Sequence, residues 1–316
     1  MPAPSSAEGR DFREPFLAEL LMRIGEPSGA RPTVRCWSES ALSQELVAVR
    51  KELEERRISV PLSGAGLLAW LQELKLARAV PVESPESERP VRFFVLGLER
   101  FAGEPQVDPI ELLQAYAPQG VVCYFTALAF HALTTQPPSH HHVAVLAARS
   151  KEREAAPPRP ATARLMRTYN PLGKLAFRHQ GVPYFLTRRE SQLVPGVQQR
   201  YLNSRALVRI TSREQTLLDT LHRPLNCGGP EVVFEAWRTG VEDMDASRFA
   251  ELIVQADHPH LRRRVAAMLD LMDYPSGDDL RAVLERGRVP SEPPIPLLAG
   301  MEYSRLDPRW GVLVPG

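Results

Sequence analysis

Arginines and lysines crowd into one segment of this chain, and their chemistry suits the binding of phosphate. Residues 149–213 contain 14 lysines and arginines against three glutamates, a net charge of +11, whereas the whole chain of 316 residues has a net charge of +1. Such an excess repels itself unless an anionic partner balances it. The segment therefore predicts a nucleic-acid-binding surface. Its candidate DNA contacts are Arg164, Arg167, Lys174, Arg178, Arg188, Arg189, Arg200 and Arg205.

Motifs of enzyme chemistry do not occur in the sequence. It has no Gly-x-Ser-x-Gly, no P-loop, no His-Glu-x-x-His and no dinucleotide fingerprint. Glu73 and Lys75 form a Glu-x-Lys pair of the nuclease kind, but they fall within a predicted helix without an acidic partner nearby. Glu214 and Asp219 are five residues apart on a helix, which favours a helix cap and a surface ion pair over paired acid–base catalysis. We therefore predict a protein that is not an enzyme and needs no cofactor.

The histidines and cysteines do not predict a metal site. His140, His141 and His142 open a predicted strand, where neighbouring side chains point to opposite faces and cannot all bind one ion. His131 is predicted to pack within a helix. The three cysteines are far apart and odd in number, which fits a reduced cytosol. A polar N-terminus and the lack of an apolar run of about 18 residues predict a cytoplasmic protein that does not bind a membrane.

The N-terminal third of the chain has the element order of a winged helix-turn-helix. Apolar residues at helical spacing from Phe12 to Ile24 predict a first helix that ends at Gly25. After it come a predicted strand at 33–37, a helix at 44–57, a third helix from Ser63 or Gly64, and hairpin strands at 77–82 and 91–96. This order predicts a winged helix-turn-helix domain over residues 1–104.

A winged helix commonly reads DNA through its third helix, while the second helix and the wing contact the backbone. Gln72 suits an adenine and Ser63 a phosphate, whereas Glu73 opposes approach to DNA. Trp70 is predicted to pack rather than to stack on a base, and a winged helix used for protein contacts is the alternative. The candidate DNA contacts are Ser63, Gln72 and Lys75 on the third helix, Arg50, Lys51, Arg56 and Arg57 on the second, and Arg89 and Arg92 on the wing.

Residues 105–316 are predicted to form a C-terminal α/β domain, so that the fold class is α+β. Its small mixed sheet includes the basic segment 149–213, with strands at 140–147, 164–169, 174–179 and 183–188 and a hairpin turn at Gln180-Gly181. Residues 151–162 are predicted to be a loop. Residues 214–290 form the helical end, in which the run of Arg262, Arg263 and Arg264 is expected to project outward.

Residues 206–229 have the pattern of a short strand followed by a sharply capped helix. Thr211 with Glu214, and Ser212 with Gln215, both fit a capping box, and Cys227-Gly228-Gly229 end the helical stretch. The string Ile-Thr-Ser-Arg-Glu-Gln-Thr-Leu-Leu-Asp from Ile210, with the following Cys-Gly-Gly, resembles the C-terminal domain of AbiEi-family antitoxins. Tyr124–Thr134 resembles another segment of that family, which ends in His-Gly-Leu-Thr, with Ala132 in place of the glycine.

The similarity covers most of residues 121–316 and is strongest at 210–237; across the N-terminal domain it is architectural only. It implies a transcriptional repressor that binds double-stranded DNA at its own promoter, as the antitoxin of a type IV toxin–antitoxin system. It also implies a nucleotidyltransferase-like toxin as functional partner, without a stable complex. A protein-interaction or RNA-binding component of a defence system, built on the same scaffold, stays open as the alternative.

Overall fold

The computed structural model describes most of the chain and divides it into two compact units. The first unit comprises residues 1–118 together with 201–208, and the second comprises 119–200 and 209–316. The division falls after Pro118, whereas the sequence predicted a boundary after residue 104. The described residues are 11–25, 36–85, 90–97, 106–148, 172–203, 206–286, 292–299 and 301–315.

The first unit has the predicted winged helix-turn-helix arrangement. The strands β1 (Cys36–Ser38), β2 (Ala77–Val80) and β3 (Phe93–Leu96) form an antiparallel sheet in the order β1-β3-β2, and the helix α3 (Gly64–Glu73) precedes the β2–β3 hairpin. The fold class predicted from the sequence is confirmed. The elements are α1 (Arg13–Gly25), β1 (Cys36–Ser38), α2 (Glu39–Glu55), α3 (Gly64–Glu73), β2 (Ala77–Val80), β3 (Phe93–Leu96) and α4 (Pro109–Tyr116).

Apolar faces of α1, α2 and α3 form the core of this unit. Phe16, Leu46 and Leu71 are fully buried in one cluster, as helical spacing requires of a face turned inward. Trp70 packs at its edge, with its ring 5.7 Å from that of Phe12 and 5.9 Å from that of Phe16. The prediction that Trp70 packs against the domain is confirmed.

Helix α2 begins at Glu39 instead of residue 44. Ser38 is extended, and its hydroxyl oxygen accepts a hydrogen bond from the backbone N–H of Ala41 at 3.4 Å, which is an N-cap. Leu42 is buried in the added turn. The capping serine is itself the last residue of strand β1, so the apolar spacing alone placed the start too late. Residues 33–35 of the predicted first strand lie outside the described residues.

Helix α4 belongs to the first unit, and this explains where the division falls. Asp108 caps α4 by accepting a hydrogen bond from the N–H of Ile110 at 2.8 Å. The helix packs against β1. The side-chain amide of Asn203 donates to a carboxylate oxygen of the buried Glu111 at 3.0 Å, so the segment 201–208 also joins this unit.

A six-stranded mixed sheet is the centre of the second unit. Its order is β6-β7-β5-β4-β9-β8, with β5/β7 and β4/β9 parallel and β4/β5 and β6/β7 antiparallel. Gln180 and Gly181 both have positive φ, 50° and 79°, which confirms the predicted tight hairpin turn. The strands are β4 (Val121–Val122), β5 (His141–Ala147), β6 (Lys174–His179), β7 (Val182–Glu190), β8 (Val197–Tyr201) and β9 (Leu207–Thr211).

Helices follow the sheet and share its core. Ser212 caps α6, its hydroxyl oxygen accepting from the N–H of Gln215 at 3.2 Å, while the Gln215 side chain accepts from the N–H of Gly196 instead of completing a capping box. Trp237 is fully buried among the helices. The helices are α5 (Phe125–Phe130), α6 (Arg213–His222), α7 (Pro230–Gly240), α8 (Ala246–Ala256), α9 (Pro259–Leu271) and α10 (Asp278–Glu285).

A small C-terminal sheet is anchored by an arginine that was expected to project outward. It comprises β10 (Ile295–Pro296), β11 (Arg305–Asp307) and β12 (Val312–Val314) in the order β10-β12-β11. The side chain of Arg263 is 1% exposed and donates to the carbonyls of Trp310 at 2.8 Å and Gly311 at 2.6 Å. The outward prediction is therefore wrong for Arg263, because these carbonyls need donors inside the fold. In the described part of the chain, no helix is long and apolar enough to cross a bilayer.

Candidate nucleic-acid interface

Helix α3 exposes a nearly smooth outward face. Ser63 is its N-cap, and the Ser63 hydroxyl oxygen accepts from the N–H of Gly66 at 3.2 Å. Ala65 and Ala69 are exposed on the helix, and Gln72 is exposed with them. Only Gln72 of these three presents an amide for base edges. The small side chains permit close approach of a duplex and read few bases.

Three of the predicted backbone contacts are engaged in ion pairs. Nε of Arg50 lies 2.8 Å from a carboxylate oxygen of Glu54, and its Nη1 donates to the carbonyl of Leu62 at 3.4 Å. Arg56 pairs with Glu19 and Glu52. Arg92 pairs with Glu39 at 3.5 Å. These pairs are partly or largely exposed and therefore weak, so a phosphate can compete for the guanidinium groups at little cost.

Lys51, Arg57 and Lys75 are exposed and form no salt bridge with any residue in the described ranges. Two of them occupy an unusual backbone conformation, since φ is 65° at Arg57 and 60° at Lys75. Each follows the end of a helix, where glycine is the preferred residue. Their positive charges also lie at the negative ends of the dipoles of α2 and α3.

The hydrogen bonds around these two residues define the same helix-terminating motif. Ile58 N–H donates to the Leu53 carbonyl, and Leu76 N–H donates to the Leu71 carbonyl, both at 2.9 Å. This is the Schellman pattern, which requires the left-handed conformation at the preceding residue. Two basic side chains therefore occupy positions that the fold alone would give to glycine.

The basic residues of the sheet do not share one face. Lys174 pairs with Leu186 across β6 and β7, which places it on the same face as Arg188, two residues along. Arg178 pairs with Pro183, on the face of Arg189. Lys174, Arg178, Arg188 and Arg200 are exposed. Arg200 lies on the opposite edge strand β8, roughly 24 Å from β6 for strands about 4.8 Å apart.

Arg189 is not a DNA contact. Its side chain is 2% exposed, and Nη1 and Nη2 donate to the two carboxylate oxygens of Asp219 at 2.7 and 2.6 Å. Asp219 is fully buried, so its predicted place in a helix-surface ion pair is also wrong. Burial acts to lower the pKa of Arg189, but the Asp219 carboxylate outweighs it and the pKa lies above its ordinary value. Arg189 therefore remains charged, and it is buried where solvent phosphate cannot reach it.

Part of the predicted interface lies outside the described residues. This holds for Arg89 of the wing, for Arg164, Arg167 and Arg205 of the basic segment, for the predicted strand at 164–169 and for the predicted loop at 151–162.

A cluster of buried polar groups surrounds Arg189, and sequence reasoning missed it. The Tyr124 ring lies 4.9 Å from Cζ of Arg189 and 5.3 Å from the ring of His142. The Tyr124 hydroxyl, both ring nitrogens of His142, Nε of Arg189 and Nδ1 of His222 are buried, and none has a hydrogen-bond partner among the described residues. Each such group typically costs about 1–3 kcal/mol. The sequence signal was limited to the place of Tyr124 and Asp219 in the two family-like segments, Tyr124–Thr134 and 210–237, which are far apart along the chain.

Tyr124 also has a strained backbone. It joins β4 to α5 with φ 60° and ψ −133°, which a bulky side chain seldom adopts. Strain of this kind costs of order 1–3 kcal/mol and persists only where the surrounding structure imposes it.

Burial sets the protonation of this cluster. It lowers the pKa of His141 to about 4 and of His222 to about 3, and it lowers the pKa of His142 well below its ordinary value. It raises the pKa of the Cys123 and Cys227 thiols. At neutral pH the histidines are therefore neutral and the cysteines remain thiols, which gives no thiolate nucleophile. Over the described residues, no three His, Cys, Asp or Glu side chains are grouped to hold a metal ion.

Comparison with known proteins gives a structural match alone. The chain matches no protein-family model and no curated protein. It is similar to the crystal structure of the RV2827C protein from Mycobacterium tuberculosis, with a TM-score of 0.52 and 12% identity, over 95% of this chain and 91% of that one. At this identity the similarity shows a common fold.

Proposed function

We propose that this chain is a DNA-binding transcriptional repressor, the antitoxin of a type IV toxin–antitoxin system of the kind its C-terminal segments resemble. The observation that favours it most is the winged helix-turn-helix of the first unit, whose α3 turns an exposed face outward. Phosphate contacts come from Lys51, Arg57 and Lys75. Further contacts come from Arg50, Arg56 and Arg92, whose carboxylate partners a phosphate can displace. In this proposal the target is the chain's own promoter, in the cytoplasm.

The proposed interface contributes affinity more than base recognition. Basic side chains at the ends of α2 and α3 fix the protein on the backbone, and such contacts are sequence-independent. Gln72 is the base-reading side chain on the exposed face of α3. Selectivity then depends on Gln72, on the wing, and on how readily the operator adopts the shape that the protein requires.

Binding of the intact protein to the DNA upstream of its own gene tests the proposal. Fluorescence anisotropy against salt concentration is expected to give a log–log slope of roughly −5, for about six phosphate contacts. The protein is expected to bind the upstream DNA at least about 10³-fold more tightly than scrambled DNA, as a repressor of one promoter needs. A slope near zero, or equal affinity for both DNAs, would contradict the proposal. Arg286→Ala with Arg305→Ala, which removes one exposed charge just after α10 and one on β11, is a control expected to change neither the slope nor the preference for the upstream DNA.

The antitoxin half of the proposal has its own test. Expression of the nucleotidyltransferase-like toxin encoded beside this chain is expected to arrest growth, and co-expression of the chain to restore it without a stable complex between the two. Co-purification of both proteins as a stoichiometric complex would contradict the indirect mode.

A protein-interaction or RNA-binding role is the second candidate. The small residues on the outward face of α3, together with exposed Glu73, favour it because they are poor readers of DNA bases. The same anisotropy experiment with single-stranded RNA of the promoter sequence separates the two. Tighter binding to RNA than to duplex DNA would favour this candidate.

A further inference from the structure

An apolar patch lies on the outward side of α2 and α3 in the first unit. Val47 on α2 is 50% exposed, and Ala65 and Ala69 are exposed on α3. Residues four apart lie on one side of a helix, so the two alanines share a face. The two helices approach each other closely here, because a Cβ at Gly64 would lie 3.1 Å from a methyl carbon of Val47. Val47 therefore lies beside the first turn of α3, where Ala65 is.

Positive charge borders this patch on two sides. Lys51 follows Val47 by four residues on the same side of α2, and Lys75 lies just beyond the C-terminal end of α3. Both lysines are exposed. A fitting partner is therefore anionic at its edges and apolar between them. Duplex DNA has this chemistry, since phosphates line both edges of the major groove and thymine presents its C5 methyl group on the floor. Glu73, the one acidic residue of α3, lies at the far end of the helix from Ala65.

We propose that Val47, Ala65 and Ala69 recognise thymine by packing on its C5 methyl group in the major groove. The inference rests on the proposed function and adds the class of base pair that the operator presents to α3. The N-terminal residues of a recognition helix commonly face base edges, and Ala65 is the second residue of α3. Alanine forms no hydrogen bond with a base through its side chain, but it can contact the thymine methyl, which only A·T pairs carry.

Gln72 extends this recognition along the same face of α3. It follows Ala69 by three residues and is exposed, so it lies on the side of the helix that carries the two alanines. A glutamine amide pairs with N6 and N7 of adenine, the partner base of thymine. Apolar contacts and the amide therefore favour the same base pair, and the half-site that faces α3 is rich in A·T pairs.

Replacement of thymine by deoxyuridine in the upstream DNA tests this inference, because it removes the methyl groups and retains the phosphates and the base pairing. Burial of one methyl group changes affinity roughly four-fold, so the loss of two contacts is expected to weaken binding about 15-fold. The log–log salt slope is expected to stay the same, since the phosphate contacts are unaltered. Fluorescence anisotropy with the intact protein measures both quantities.

Val47→Ser assigns the methyl effect to the patch. It is expected to weaken binding of thymine DNA about four-fold and to leave binding of uracil DNA unchanged, because the two changes remove the same contact. Val254→Ser is the matched control, since Val254 is 47% exposed on α8 of the second unit, and it is expected to leave both affinities unchanged. Ala65→Gly repeats the comparison if Val47→Ser does not fold.

The outcomes separate this inference from the proposed function. Equal affinity for thymine and uracil DNA, or an equal loss for both DNAs in Val47→Ser, would overturn the inference and leave the repressor proposal standing. If Val47→Ser and Ala65→Gly bound both DNAs like the unchanged protein, the patch would not touch thymine and would suit a protein partner instead. Lack of binding to either DNA would contradict the proposed function, and the inference would fall with it.

Discussion

Replacement of Arg57 and Lys75 by glycine is expected to raise stability and lower DNA affinity at once. Both residues have the left-handed backbone conformation, which costs a residue with a Cβ roughly 1–2 kcal/mol and glycine almost nothing. The Schellman hydrogen bonds use backbone atoms alone, so glycine retains them. Two sites together give about 2–4 kcal/mol. The entropy that each glycine adds to the unfolded chain takes back roughly 0.4–1 kcal/mol per site. The double variant is therefore expected to gain about 1–3 kcal/mol in free energy of unfolding.

The same double variant loses two phosphate contacts. Each contact contributes about −0.9 to the log–log salt slope on duplex DNA, so the slope is expected to become shallower by nearly two. Urea unfolding measures the first effect, and anisotropy at several salt concentrations measures the second. Lys51→Ala is the matched control, because Lys51 lies within α2 and its loss should flatten the slope by about one without a gain in stability. A less stable double variant would refute the backbone argument, and an unchanged slope would refute the phosphate role.

Three further predictions concern the second unit. Arg189→Ala leaves Asp219 buried and unpaired, and urea unfolding is expected to show a loss of about 3–5 kcal/mol. Burial lowers the pKa of His141 to about 4, so its stabilisation is fully present above pH 6.5 and is lost as pH falls to 4; His141→Asn should flatten stability over that range. Ala132, with φ 53°, replaces the glycine of the family pattern, and Ala132→Gly should raise the melting temperature.

The winged helix was predictable because its signals are local. Helical spacing of apolar residues and the serine before Gly64 define α3, and the strand–turn–strand pattern defines the wing. The start of α2 was missed because a strand residue, Ser38, also serves as the cap, and apolar periodicity does not show which of two adjacent elements a residue serves. The segments α4 and 201–208 join this unit through the contact of Asn203 with Glu111. These two residues are far apart in the sequence, so the sequence does not show their contact.

The buried arginines were the main failure of sequence reasoning. Arg188 and Arg189 are adjacent on a strand, so alternation requires that they point to opposite faces. One of them had to face the core if that face was covered, and Asp219 was the acid that could balance it. Arg263 was harder to predict, because besides Glu292 it donates to backbone carbonyls near the C-terminus, and no side-chain pattern reveals those carbonyls. Both cases show that a basic run predicts charge without predicting exposure.

The exposed basic residues of the sheet, in the described part of 149–213, lie on more than one face. The salt slope can show which of them touches DNA. Lys51, Arg57 and Lys75 account for about −2.7 of the proposed slope near −5. Arg50, Arg56 and Arg92 must first leave their carboxylate partners, and they share the rest with the sheet or with residues outside the described ranges. A duplex can lie against one face of the sheet only. Lys174→Ala with Arg188→Ala removes two charges from one face, and Arg178→Ala removes one from the other. We expect only one of these variants to flatten the slope. If it is the double variant, the slope changes by nearly two; if it is Arg178→Ala, the slope changes by about one. If both flattened it in proportion to the charges removed, DNA would wrap around the sheet edge at β6; if neither did, the sheet would have no DNA role and its charge would require a different anion.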